Sequence, residues 1–122
     1  MKLQLLTEGE RKLFTGYTDG QVIINRVPFG SGTVVYEDVV RQDWGCHVFA
    51  DLCEAHFDYF LALQPEVLLL GTGVRQQFSP PSLYRNLLSA GVAVEFMDTA
   101  AVCRTFNILT AEDRRVVAAI LC

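Results

Sequence analysis

No stretch of this chain strings together the roughly 18 apolar residues that a membrane-spanning helix needs. The longest apolar run, Val116 to Cys122, is strand-sized. Basic residues are scarce: ten Lys and Arg stand against fourteen Asp and Glu, for a formal net charge of -4. A nonspecific nucleic-acid binder needs a basic surface to displace counterions. The local basic pairs are just Arg11-Lys12 and Arg114-Arg115, so no nucleic-acid partner is expected. There is no CxxC pair among the four cysteines, Cys46, Cys53, Cys103 and Cys122. That absence argues against a zinc knuckle and a disulfide framework. GxSxG, HExxH and a Walker lysine are missing too. After Met1-Lys2 the apolar stretch LQLL is too short for a signal peptide. The expectation is a cytoplasmic protein with reduced thiols and no membrane span.

What is present argues for a folded core. Hydrophobic residues make up 51% and charged residues 20% of the 122, which speaks against disorder. One domain, 1–122, is expected. Its first part, 1–45, reads as a meander of short strands: 3–6, 14–17, 21–24, 27–29 and 33–36. Asp19-Gly20 is a strong turn signal, and Asn25-Arg26 and Gly30-Ser31-Gly32 make further breaks. This layer is expected to pack on an α/β core, 46–122.

In that core the period turns helical from Phe49 to Leu63, with Cys53, Phe57, Phe60 and Leu61 on one stripe. Val67 to Leu70 is a continuous apolar run, as in a strand covered on both faces. Ser79 and Pro80 open a helix over 80–90, and Gly91 stops it. Val92 to Met97 is the next strand. Thr99 caps a helix running to about Leu109, and Arg115 to Cys122 forms a last strand.

Strands 67–70 and 92–97 are joined by a helix, so a right-handed crossover makes them parallel. Their carboxyl ends then share one edge, where open α/β sheets place ligands. Gly71, Thr72, Gly73, Arg75, Gln76 and Asp98 are the candidate crevice for a small anionic or polar ligand. Backbone amides of the glycine turn and a helix start near Ser79 would favour negative charge. Gln76 stands where a dinucleotide fingerprint needs its third glycine. A plain polar rim is the other account of the same residues.

Glu95 puts a charge inside a strand pattern. A carboxylate there needs a cation or a raised pKa. An ion pair with Arg104, Arg114 or Arg115 is expected, structural in role and not an acid–base device. Cys103 lacks a base placed by sequence, so it is not assigned as a nucleophile. Cys46, His47, Cys53 and His56 do not have metal-site spacing and read as core or core-edge residues. No catalytic residue, metal or cofactor is assigned.

An ordered set of motifs adds to this. GTG at Gly71–Gly73, VEFMDT from Val94 to Thr99, AVCRTFN from Ala101 to Asn107 and EDRR from Glu112 to Arg115 resemble a small family of bacterial, archaeal and mitochondrial proteins. It includes the mitochondrial respiratory complex I assembly factor 3 and an adipogenesis-associated protein. The resemblance spans nearly the whole chain. It implies a three-layer β+α/β/α fold with a mixed central sheet of about five strands, the last antiparallel. It implies a bacterial member with no known catalytic residue, and a mitochondrial relative that works through protein contacts. The expectation is a non-enzymatic protein-interaction or assembly-factor-like module with unknown protein partners. The alternative is a small-molecule binder or enzyme using the crevice.

Overall fold

Turn chemistry cuts the first third of the chain into short strands. In the computed structural model, which describes residues 10–122, these are β1 (Phe14–Thr18), β2 (Gln21–Ile24), β3 (Val27–Phe29), β4 (Thr33–Tyr36) and β5 (Val39–Arg41). Asn25 and Arg26 both have positive φ, 48° and 72°. Two such residues give the tight hairpin turn whose twist matches its flanking strands. The expected strand at 3–6 lies outside the described residues. The strands β6 (Val67–Thr72), β7 (Ala93–Met97) and β8 (Val116–Leu121) follow, with α1 (Glu54–Asp58), α2 (Arg85–Ser89) and α3 (Thr99–Ala111).

The meander divides between two sheets. β1, β2 and β3 form an antiparallel sheet of their own, while β4 and β5 join a five-stranded sheet in the order β5-β4-β8-β6-β7. β6 pairs in parallel with both β7 and β8, as the crossover rule requires. β4 pairs antiparallel with β8 and with β5. The mixed five-stranded sheet is therefore present, with one correction. The last strand, β8, runs parallel to β6 and β7; β4 is the strand that runs against the others. The reason is the α3 crossover, which returns the chain to the start of the sheet before β8 begins.

β6 and β8 are buried along their whole lengths, because both faces of the sheet are covered. On one face Leu68, Leu70, Val117, Ala119 and Leu121 pack with Trp44, Phe57, Phe60 and Leu87. On the other, Val67, Leu69, Val116, Ala118 and Ile120 pack with Val102, Cys103 and Phe106 of α3 and with Phe14, Val22 and Ile24 of the small sheet. These are the three layers. Among the described residues no helix is long and apolar enough to cross a membrane.

The helices are shorter than their periodicity suggests. The expected 49–63 helix is three pieces: 3-10 turns at Phe49–Asp51 and Leu61–Leu63 flank α1. Cys53 is extended, with φ -138° and ψ 177°, and acts as the N-cap of α1. Over 80–90, a 3-10 turn at Pro81–Leu83 precedes α2, and Tyr84 (φ -123°, ψ 24°) breaks the helical geometry between them. Pro80-Pro81 supplies no backbone donors to extend that first turn.

Candidate functional site

The sheet's carboxyl edge is built around one buried hydroxyl. Asp98, not Thr99, caps α3: its side chain accepts from the Ala101 amide at 2.9 Å. That frees the Thr99 hydroxyl, which is fully buried, to bridge two other segments. It accepts from the Gly73 amide at 2.9 Å and donates to the Leu121 carbonyl at 2.5 Å. The Thr99 amide in turn donates to the Gly73 carbonyl at 2.9 Å. So the ends of β6 and β8 and the start of α3 are tied at a single point.

This tie explains both glycines. A Cβ on Gly71 would stand 2.9 Å from the Thr99 oxygen and 3.3 Å from its Cα. Gly73 has φ +99°, a conformation that side-chain-bearing residues rarely adopt. Thr72 completes the turn. Its hydroxyl donates to the Arg75 carbonyl at 2.7 Å and lies 3.2 Å from the Met97 carbonyl, and it accepts from the Gln77 amide at 3.1 Å.

Beside this turn lies an open crevice of about 520 Å³. Thr72, Gly73 and Arg75 line it, together with Val48, Phe49, Ala50, Val74, Gln77, Leu121 and Cys122. The other three expected residues are elsewhere. Gly71 is buried against Thr99, and Asp98 is spent as a helix cap. Gln76 turns to the sheet edge, where its side-chain amide donates to the Phe96 carbonyl at 2.9 Å. The 48–50 wall and Cys122 carried no local signal in the sequence. They arrive through the break of the 49–63 helix and the central place of β8.

The electrostatics differ from an anion hole. The Gly73 amide already has a partner in Thr99, and the Gln77 amide in Thr72. The α3 N-terminus is closed by Asp98 and by the Gly73 carbonyl. The 3-10 turn at Pro81–Leu83 offers no long helix dipole. Arg75, exposed, is the cation in the lining. Much of the rest is apolar, and Val74 is 83% exposed; Phe78, 68% exposed, lies outside the lining, against Phe96.

The expected Glu95 ion pair does not form. Glu95 is exposed and makes no salt bridge among the described residues, while Arg114 and Arg115 both pair with Glu66, at 3.4 and 3.7 Å. Arg104 is exposed on α3. The cause is topology. β7 is the outer strand of the sheet, and α3 packs over β6 and β8, so Glu95 faces water beyond the helix.

Among the described residues no three His, Cys, Asp or Glu side chains come together as a metal-sized group. Cys46 is buried, with its sulfur 3.4 Å from the Val48 carbonyl. His56 Nδ1 accepts from the Cys53 amide at 3.1 Å and lies 3.4 Å from the Cys53 sulfur, closing the first turn of α1. Burial pushes the Cys103 thiol up to about 12, with the Cys122 thiol adding to the rise. That is the opposite of activation, since thiolate is the nucleophilic form.

This architecture is shared. A crystal structure of a Bordetella parapertussis protein is 42% identical and superposes with a TM-score of 0.84 over 91% of this chain and 95% of that one. The chain is 37% identical over 110 residues to a Francisella tularensis protein named "13 kDa major membrane protein", covering 84% of this chain and 85% of that relative. It is 36% identical over 99 residues to the Bos taurus NADH dehydrogenase (ubiquinone) 1 alpha subcomplex assembly factor 3, covering 80% of this chain. The match spans about half, 52%, of the assembly factor's length. The chain belongs to the family described as "Protein of unknown function (DUF498/DUF598)", whose model matches residues 14–121.

Proposed function

We propose that this chain is a non-enzymatic protein-binding module of the assembly-factor kind, and that it meets its partners at the carboxyl edge of the central sheet. The observation that carries this is the exposure of Val48 and Val74 in the lining of a crevice whose Gly73 and Gln77 amides are already used, with exposed Phe78 further along the same segment. Large apolar side chains left in water at one rim are what a docking surface needs. Similarity to a complex I assembly factor supports the same class of role. A side chain poised as nucleophile or base is not assigned; the Cys103 thiol is held neutral inside the core.

The test is crosslinking and affinity capture from the native cell with the wild-type chain and with Val74→Ser/Phe78→Ser. Both positions are exposed, so the variant should fold. Proteins retained by the wild type and lost by the variant are the expected result. Identical recovery from both, with folding confirmed by circular dichroism, overturns the reading.

A second reading is favoured by one observation, the open volume of about 520 Å³ with Arg75 in its wall. It makes the crevice a weak site for a small anionic or polar ligand. Calorimetry with phosphate, sulfate, carboxylates and nucleotides checks it. Binding abolished by Arg75→Ala supports it; heats indistinguishable from dilution remove it.

A further inference from the structure

We propose that the outer edge of β7 takes up an extended segment of a partner protein as an added strand, with basic side chains on the Glu95 side of that segment and apolar ones on the Phe96 side. The proposal rests on the interaction reading above and names a surface outside the crevice lining, with Phe78 on its side of the segment.

The first observation is backbone direction. The Ala93 amide donates inward to the Glu66 carbonyl at 3.0 Å, and the Met97 carbonyl also faces inward, toward Thr72. Backbone groups of a strand alternate sides. The N–H and C=O groups of Val94 and Phe96 therefore point away from β6, into the space where a sixth strand would lie. One of them, the Phe96 carbonyl, receives the Gln76 side-chain amide at 2.9 Å. Among the described residues the other three have no partner.

The second observation is how the other outer strands are protected. Native sheets blunt their edges with Pro, with charge, with short length or with a cover. β3 is three residues with Pro28 at its centre. β5 is three residues ending in Arg41. On β1, Asn107 occupies both backbone groups of Phe14. β7 is longer, five residues without Pro, and its protection is confined to the Glu95 charge and to Gln76 on the Phe96 carbonyl.

Charge selects the occupant. Glu95 is exposed without an ion pair, on one face of the strand. Phe96 on the opposite face carries Phe78 against it, ring centroids 5.9 Å apart, and Phe78 remains largely in water. An added strand with Lys or Arg beside Glu95 and an apolar side chain against the exposed Phe78 ring satisfies both faces. A second copy of this chain fits poorly. Antiparallel pairing centred on Glu95 would set that carboxylate against its own copy, and like charges directly opposite are destabilising.

The test uses the full chain and a short synthetic peptide alternating valine and lysine. Two controls are the same peptide with glutamate for lysine, and one N-methylated at alternate backbone nitrogens. Amide hydrogen exchange is followed residue by residue by NMR. The expected result is slowed exchange at Val94 and Phe96 with the lysine peptide and no slowing with the N-methylated one. Replacing lysine by glutamate should weaken binding by up to about fivefold, the upper end for an exposed charge contact. Glu95→Lys should reverse that preference. Val94→Pro removes one outward N–H without touching the β6 ladder and should abolish binding; if it fails to fold, Glu95→Lys still decides. Unchanged exchange at Val94 and Phe96 with every peptide overturns the proposal. So does capture from cells that is lost in Val74→Ser but intact in Glu95→Lys, a result that leaves the interaction reading standing. Absence of any captured protein removes that reading.

Discussion

Asn107 holds Phe14 by both of its backbone groups: Oδ1 accepts from the Phe14 amide at 3.0 Å and Nδ2 donates to the Phe14 carbonyl at 2.8 Å. A side chain of α3 thus imitates a neighbouring strand, and it fastens the small sheet to the central layer. The Phe14 and Phe106 rings meet edge-on beside it, 5.3 Å apart. Losing a paired, half-buried amide exposes two backbone groups to incomplete solvation. Asn107→Ala should cost about 1–3 kcal/mol of unfolding free energy, read by urea denaturation. Asn107→Asp should do no better, because its second oxygen would face the Phe14 carbonyl.

The Thr99 tie makes a sharper case. Thr99→Val keeps the shape and removes the hydroxyl, leaving the Gly73 amide and the Leu121 carbonyl unpaired. Each such buried group costs about 1–3 kcal/mol. Thr99→Ser should recover most of the loss. Gly71→Ala should also destabilise, by about 1–3 kcal/mol, since its Cβ meets Thr99 backbone as well as side chain. Thermal melts of the three variants give the ranking directly.

Glu95→Ala should leave stability within about 0.5 kcal/mol of wild type, as expected for a solvated surface charge. Glu66→Ala, which breaks two exposed pairs, should cost no more than about 1 kcal/mol. A clear drop for Glu95→Ala in denaturant would show that its carboxylate has a partner after all.

Alkali should weaken the fold through two acids. Burial raises the Cys103 thiol from 9.0 to about 12. Burial and the hydrogen bond to Asp43 raise the Tyr59 hydroxyl from 10.0 to about 12. The unfolded chain then sheds protons that the folded chain retains, so unfolding free energy falls as pH rises. The contribution is complete below pH 9 and lost between about 9 and 12. Cys103→Ala should flatten the early part of that decline and Tyr59→Phe the later part. In the native state at pH 8, a thiol reagent should label exposed Cys53 and spare Cys103.

The α/β crossover was plain in the sequence because it is local. Val67–Leu70 is an unbroken apolar run, and the segment from Ser79 to Gly91 carries its own stop signals. What failed was either two residues choosing between equivalent roles or a pairing between distant segments. Asp98 and Thr99 are both good caps, and no local pattern says that Thr99 is needed inside. Glu95 looked buried because strand alternation does not reveal which strand is outermost. The motif residues Gly71, Gly73 and Asn107 proved to be fasteners of the layers. The crevice wall at Val48–Ala50 comes from a segment whose apolar spacing suits one helix but whose Cys53 is extended.

The central position of β8 also bears on synthesis. It lies between β4 and β6, yet it leaves the ribosome after both. Thr33 cannot meet Ile120 until the whole stretch between them, more than two thirds of the 122 residues, has been made. Until then the nascent polypeptide carries two apolar strands, each waiting for the same missing neighbour. Such long-range pairing is slow, and open strand edges invite wrong partners. The sheet therefore closes only once β8 has emerged, and conditions that shield the waiting edges of β4 and β6 should influence folding yield more than final stability.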